Sequence, residues 1–415
     1  MQIISKERRN VVIMWSANFL IAGSMTMVLP FLSLFIETMG NYSPEYVQKW
    51  SGLSFGVTFV TAFLFSPLWG RFGDKFGRKK ILMISALGLG LSVLLMTWVN
   101  DVYQLFVLRL FMGVFTGFIS TSQALISAQT PKHISGKILG TLQTGNVSGA
   151  LFGPLIGGVL ADVAGFRYTF MITAILMGLT ATIVWVGVKE VFHDDKGFKE
   201  TKTMTSKDVM TYIMSKPVLL MIMFVSLLIQ AANFSIQPLL ALFVTELHGP
   251  NNNAFFSGLV FSATGLGNLL FTRQWGKIGD RIGYDKVMVA VMLLAALFFL
   301  PQGMATAIWQ LVILRVLFGV VIGGFIPSRV AYIRQAAPLS IQGEVLGYNN
   351  SFRFLGNVIG PMLGGVLAGY IGISSVFYVM SLLFVVSAVL LMAAMRRERK
   401  KLEHRAKVSD YVSSP

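Results

Sequence analysis

Arg109, Arg315, Arg329 and Arg353 each stand inside a long apolar run. A guanidinium at the centre of such a run costs about 3 kcal/mol to insert, so it usually faces a polar cavity and serves an anion or a proton there. Arg109 is the strongest of the four. Its bland alternative is snorkelling, because it lies within two turns of one end of its run and a long side chain reaches water from there. Arg315 holds the matching place in the second half of the chain. Arg353 follows Asn349 and Asn350 by one turn. It lines a cavity, binds an anionic group or reaches the surface, and the residues leave these open.

The acids are placed differently. No Asp or Glu lies deep in an apolar run. Glu37 and Glu246 come nearest, in the related stretches Phe35-Ile36-Glu37 and Val244-Thr245-Glu246. A carboxylate shielded from water takes up and releases a proton near neutral pH, whereas one at a surface stays ionised and solvates a loop. Both readings stand for this pair. Asp162 reads as interfacial. Asn18, Gln123, Gln230, Asn233 and Gln237 are the polar side chains expected in a cavity, the last three along one helical face. Hydrogen bonding between helices competes for the same residues. Phe55, Phe59 and Phe63 also share a face and read as packing.

Elements that position such residues must be membrane helices. The 415-residue chain is 54% hydrophobic and 13% charged, against about 25% charged in soluble domains. That much apolar surface needs a bilayer as solvent. The net charge of +16 does not point to nucleic acid, because the cations sit in short segments between apolar runs. There is no cysteine, which excludes disulfides and thiolate chemistry, and four histidines without metal-type spacing give no metal site. No cofactor is expected. The short basic start, Met1 to Asn10, leads straight into an apolar run with no small-residue cleavage site, and reads as a retained first helix.

A span needs about 20 apolar residues. Twelve are expected, over 11–36, 51–70, 81–99, 103–126, 138–161, 168–188, 217–245, 255–272, 287–304, 308–332, 344–368 and 373–395. The polar stretch Lys189 to Lys216 has no apolar periodicity and divides the spans six and six. The expected organisation is a six-helix bundle over 1–188, a cytoplasmic linker over 189–216, a second six-helix bundle over 217–395 and a basic cytoplasmic tail over 396–415. Most of the 34 Lys and Arg fall on one side under this division, with only Lys49 and Arg167 on the other. By the positive-inside rule both termini are expected in the cytoplasm.

The two halves repeat. Gly70, Gly73, Asp74 and Gly77 recur as Gly276, Gly279, Asp280 and Gly283. Each set is expected to form a tight charged turn between spans, with glycines permitting the sharp path and Asp74 just ahead of a helix N-terminus. Leu108-Arg109-Leu110-Phe111-Met112-Gly113 answers Leu314-Arg315-Val316-Leu317-Phe318-Gly319. The segment containing Gly149, Gly153, Pro154, Gly157 and Gly158 answers that containing Gly356, Gly360, Pro361, Gly364 and Gly365. These small residues allow close helix approach, and the proline removes a backbone hydrogen bond and bends its helix. The expected product is a tight, movable seam between the halves, with a ligand site at their interface near the bilayer midplane.

These motifs resemble the major facilitator superfamily, in particular its bacterial twelve-helix drug–proton antiporters. Gly70 to Lys80 resembles the loop 2–3 motif, Leu105-x-x-x-Arg109-x-x-x-Gly113-x-x-x-Gly117 the helix-4 arginine motif, and Gly149 to Gly158 the helix-5 antiporter motif. The resemblance implies an all-α polytopic protein of two pseudo-symmetric six-helix bundles in a bacterial plasma membrane, working as a monomer. It implies proton-driven efflux of small amphipathic drugs or dyes by alternating access. Arg109 is then the proton-coupling residue, with Glu37 or Glu246 as proton carrier. Gly70, Asp74, Gly77, Arg78 and Asp280 then belong to the cytoplasmic gate. In the family Arg78 pairs with an acid near the end of helix 4; here that region reads Ser127-Ala128-Gln129-Thr130, so the latch departs from the pattern.

Alternatives on the same architecture are export of sugars or other metabolites and a lipid or glycolipid flippase. An enzyme is disfavoured, since no nucleophile–base set, nucleotide loop or metal cluster stands in the sequence.

Overall fold

The computed structural model describes residues 2–130, 132–188, 206–338 and 341–413. Every regular element among them is helical. The first half contains α1 (Gln2–Met27), α2 (Leu32–Glu37), α3 (Pro44–Phe76), α4 (Arg78–Leu95), α5 (Val102–Val114), α6 (Phe118–Gln129), α7 (Lys132–Ala164) and α8 (Phe166–Gly187). After α9 (Ser206–Ser215), the second half contains α10 (Pro217–Ser235), α11 (Leu240–His248), α12 (Asn253–Ile282), α13 (Tyr284–Phe299), α14 (Ile308–Ile322), α15 (Phe325–Ala336), α16 (Gln342–Ile371) and α17 (Ile373–Ser413).

Among the described residues, eleven segments are long and apolar enough to cross a bilayer, and each contains or overlaps one expected span. The remaining expected span, 51–70, lies within α3, which falls outside that set. Large apolar side chains such as Val107, Ile175, Trp185, Trp309 and Leu382 stand exposed around the perimeter. That is the pattern of a chain whose outer solvent is lipid. The protein is a multi-pass membrane protein.

Several spans are not the continuous helices the sequence suggests. The first is interrupted by a 3-10 turn at Leu29–Phe31 and the seventh by one at Gln237–Leu239, around Pro30 and Pro238. A proline has no N–H to give the preceding turn, so the ladder breaks there. The fourth span breaks between α5 and α6, and the tenth between α14 and α15 at Gly323 and Gly324.

The charged turns are also smaller than expected. α3 runs on through Phe76, and the reversal is made by one residue, Gly77, at φ 97°. Gly283 does the same at φ 97° between α12 and α13. Within the two repeated motifs, these are the glycines with a left-handed backbone. Gly70 lies inside α3 without a positive φ, and nothing stands within 4 Å of where its side chain would begin. Asp74 lies in the last turn of α3 rather than ahead of a helix, and its side chain is outside the described residues.

Residues 189–205 of the expected linker lie outside the described residues. The rest is not featureless. α9 buries Val209 and Ile213, one turn apart, and its Tyr212 hydroxyl donates to the Ala336 carbonyl at 2.9 Å. The expected basic tail continues α17 without a break through Ser413.

Packing follows the repeat. α1 packs on α7 and α8, α3 on α5, and α4 on α8; α10 packs on α16 and α17, α12 on α14, and α13 on α17. Two seams join the halves, α3 with α16 and α7 with α12. Close approaches across them involve Gly52 with Pro361 and Gly365, and Gly258 with Pro154. The Ser262 hydroxyl donates to the Leu151 carbonyl at 2.7 Å. All these residues lie toward the helix ends remote from Gly77 and Gly283. Toward the charged turns, Gln143 on α7 and Asn350 on α16 are exposed at matching positions. These contacts close the halves together at one end, and exposed polar side chains stand on the side of the charged turns.

Candidate functional site

Arg109 is 1% exposed, on the face of α5 that packs against α3. Its Nε donates to the Ser54 carbonyl at 3.2 Å, and Nη1 meets the Met112 sulfur at 3.6 Å. The guanidinium stands 5.8 Å from the centre of the Phe55 ring, while Nη2 is buried without a partner. The ring face and the carbonyl replace part of the hydration lost by a buried cation. Phe55 in turn contacts Phe234 of α10 at 6.4 Å between centroids, and Phe59 contacts Phe234 at 5.6 Å. Phe55 and Phe59 pack, as expected, and their packing reaches across to the second half. A line of contact runs from the Arg109 charge through Phe55 to the opposite half. Arg315, at the matching place on α14, is 2% exposed with Nε and Nη1 unpartnered. Neither arginine has a carboxylate partner among the described residues.

Glu37 and Glu246 end α2 and lie near the end of α11, and both are exposed. α2 and α11 touch each other. The structure does not bring either acid to Arg109.

The expected cavity residues divide. Asn18 is 0% exposed with both amide atoms unpartnered. Asn349 is buried and donates to the Ser226 hydroxyl at 3.2 Å, tying α16 to α10, whereas Asn350 is exposed. Gln230 and Asn233 are half-buried on α10, but Gln237 lies in the 3-10 turn and so leaves their shared face. Gln123 is half-buried and donates to the Gln143 oxygen at 3.2 Å, and Asn146 donates to the same oxygen at 3.2 Å. Arg353 is half-buried.

At the charged turn, Arg78 Nη1 donates to the Ala124 carbonyl at 2.6 Å. The backbone of α6 thus offers an acceptor where the sequence has no acid. In the second half Asp280 is exposed and accepts a hydrogen bond from the Tyr284 hydroxyl. Sequence reasoning missed two tryptophans beside these motifs. Trp69 Nε1 donates to the Val114 carbonyl at 2.5 Å, and Trp275 Nε1 donates to the Val320 carbonyl at 2.6 Å. Each acceptor is at a break in the fourth or tenth span. The signal was present: each tryptophan immediately precedes the first glycine of its repeated motif.

The helix-5 motif also divides. Gly149, Gly153 and Gly157 meet backbone carbonyls of α1, so they pack the first half internally. Only Pro154 and Gly158 face α12. Residues four apart share one helical stripe, and 149, 153 and 157 form a different stripe from 154 and 158. The seam between the halves is therefore narrower than the motif suggests. Pro154 and Pro361 both lie within unbroken helices, α7 and α16.

Asp162, expected to be merely interfacial, has a defined task. Its Oδ1 accepts from the Ala254 N–H at 3.1 Å and its Oδ2 from the Phe255 N–H at 2.7 Å. Those N–H groups belong to the first turn of α12, where helix N–H groups lack internal partners and the dipole favours an anion. One carboxylate thus joins the halves at their closed end. At the other seam, Lys49 Nζ lies 4.3 Å from the centre of the Tyr370 ring.

The Major Facilitator Superfamily model matches residues 14–273 and 251–413. The chain is 55% identical over 378 residues to an uncharacterized MFS-type transporter, YuxJ, of Bacillus subtilis, covering 91% of this chain and 96% of that protein. It is 37% identical over 391 residues to the multidrug resistance protein MdtG of Enterobacter lignolyticus, covering 94% and 93%. Among solved structures it is similar to a bacterial homolog of the human lysosomal transporter Spinster in an inward-facing and occupied conformation, with a TM-score of 0.76, 13% identity and coverage of 94% and 96%. A D-xylose–proton symporter matches with the same TM-score of 0.76, 15% identity and coverage of 92% and 96%. At these identities the solved structures speak to fold alone.

Proposed function

Because this chain belongs to the major facilitator superfamily and is a membrane transporter, we propose that it exports small amphipathic compounds, drugs and dyes among them, in exchange for protons by alternating access. The observation that carries this reading is the one-sided junction between the halves. Its closed end is held by small residues and one carboxylate, the half-buried rings of Phe59 and Phe234 meet across it, and exposed polar side chains stand toward the charged turns, where in this reading a chamber opens beneath those rings. Aromatic rings bind apolar bodies of many shapes without demanding one pattern of hydrogen bonds. Relatives named multidrug resistance proteins, similar over nearly the whole chain, support export over uptake.

In this reading the halves 1–188 and 217–395 rock against each other, and the charged turns and both termini face the cytoplasm. The chamber described above is then the cytoplasm-facing state. Arg109 senses substrate through Phe55 and couples it to proton movement, with Glu246 or Glu37 as the proton carrier. The Gly77 turn with Arg78 belongs to the cytoplasmic gate, and Asp162 to the outer one.

The test is dye retention in cells lacking the gene and regaining it, with and without an uncoupler. Export predicts lower retention on complementation, reversed by collapse of the proton gradient. Equal retention in both strains removes the proposal.

A further inference from the structure

The walls of the chamber differ in charge. The internal repeat places Gln123, Gln143 and Asn146 of the first half opposite Arg329, Asn350 and Arg353 of the second. On the first wall Gln123 and Asn146 both donate to the Gln143 oxygen, and none of the three positions is charged. On the second wall two of the three positions are cations. Arg329 is 2% exposed, and its Nε and Nη1 have no hydrogen-bond partner. Arg353 is half-buried on the adjacent α16, close enough for the two charges to act on each other. Neither has a carboxylate partner among the described residues, and no acid lies deep in any span.

Two neighbouring cations repel each other, and the buried one, Arg329, keeps two unmet donors although its guanidinium lies 5.9 Å from the centre of the Phe325 ring. A bound oxyanion reverses both penalties, since guanidinium donors match a carboxylate in a fork and the added charge neutralises the pair. The amide wall opposite offers no charge, so a ligand meets one cationic and one neutral polar surface beneath an aromatic roof.

We propose that Arg329 and Arg353 form an anion-recognition site on the second wall, so that the preferred substrates are amphipaths carrying a carboxylate or a similar oxyanion. This rests on the chamber being the export site. Asn350, exposed beside Arg353, adds a neutral donor to the same group. The aromatic roof receives the apolar body of the ligand, and the arginines orient its acidic end.

The experiment uses the full-length purified protein in liposomes with an imposed proton gradient. It compares a rhodamine dye bearing a free benzoate with the same dye as its methyl ester, which removes the negative charge and keeps the ring system. Wild-type protein is expected to move the acid faster than the ester. Arg353→Gln and Arg329→Gln are each expected to slow the acid about tenfold, the loss of one charge-assisted hydrogen bond, and to leave the ester rate within about twofold. The ester rate also reports that the variant is folded. Should Arg329→Gln not accumulate, Arg353→Gln decides alone. Equal handling of acid and ester by the wild type, or an unchanged acid rate in Arg353→Gln, overturns the anion site and leaves export standing. Movement of neither dye by the wild type removes the export reading, and this inference falls with it.

Discussion

The indole N–H of Trp69 meets the carbonyl oxygen of Val114 at 2.5 Å. Val114 ends α5, where the fourth span breaks and its carbonyls lose their helical donors. Trp275 and Val320 repeat the contact at 2.6 Å in the tenth span. The residue entering each charged-turn motif thus holds the broken span beside it. Trp69→Phe keeps the ring and removes the donor. It is expected to destabilise the detergent-solubilised protein by about 1–3 kcal/mol, read as a lower melting temperature, while Trp98→Phe at an exposed position has little effect. Equal melting temperatures for the two variants would contradict the role.

Arg109 combines a buried charge, a carbonyl acceptor and the Phe55 ring. Arg109→Ala is expected to abolish proton-coupled dye export while the protein still inserts at normal abundance. Lysine lacks the flat, delocalised cation that both bonds a carbonyl and lies over a ring, so Arg109→Lys is expected to recover little. Export at the wild-type rate by the alanine variant, checked against membrane abundance, removes Arg109 from the coupling scheme.

Glu246 and Glu37 are both exposed at matching helix ends, which leaves the proton carrier to experiment. Glu246→Gln keeps the shape and loses the exchangeable proton. Substrate-induced proton release, followed with a pH dye in buffer of low capacity, is expected to vanish. Release at the wild-type level would transfer the role to Glu37.

Asp162 accepts two backbone N–H groups across the seam. Asp162→Ala loses charge-assisted bonds of about 1.5–3 kcal/mol each, enough to shift a two-state equilibrium about tenfold or more toward opening at this end. The chain has no native cysteine, so spin labels at Val163→Cys and Asn251→Cys report the seam directly. The distance distribution is expected to gain a longer component in the Asp162→Ala background. An unchanged distribution shows that the latch lies elsewhere.

Gly258 and Gly70 separate glycines that matter for packing from glycines that only mark a motif. A Cβ on Gly258 would overlap the Pro154 carbonyl oxygen, which is backbone and cannot turn aside, whereas one on Gly70 meets nothing within 4 Å. Gly258→Ala is expected to disfavour the state closed at this end, by the same spin-label distances. Gly70→Ala is expected to fold and export normally, since alanine in a helix is favoured over glycine by about 1 kcal/mol. Loss of export in Gly70→Ala would place its function in motion rather than in static packing.

The amino-acid sequence alone determined the solvent, the positions of the spans and the repeat. Each is a property of residues close along the chain: runs of apolar side chains, cations clustered between them, and two sets of motifs in one order. Tertiary structure decided which neighbour each marked residue meets. Gly149 and Gly158 belong to one motif, yet one packs on α1 and the other on α12, because successive residues on a helix point about 100° apart and the sequence does not say which helix lies on which side. Asp162 finds its partners in backbone N–H groups, which every helix N-terminus carries and no side-chain pattern marks. Arg78 likewise settles on a carbonyl. The cationic second wall needed both sources of information. The repeat aligns Arg329 and Arg353 with amides, and only the packed helices bring those charges near each other and leave the buried one with unmet donors.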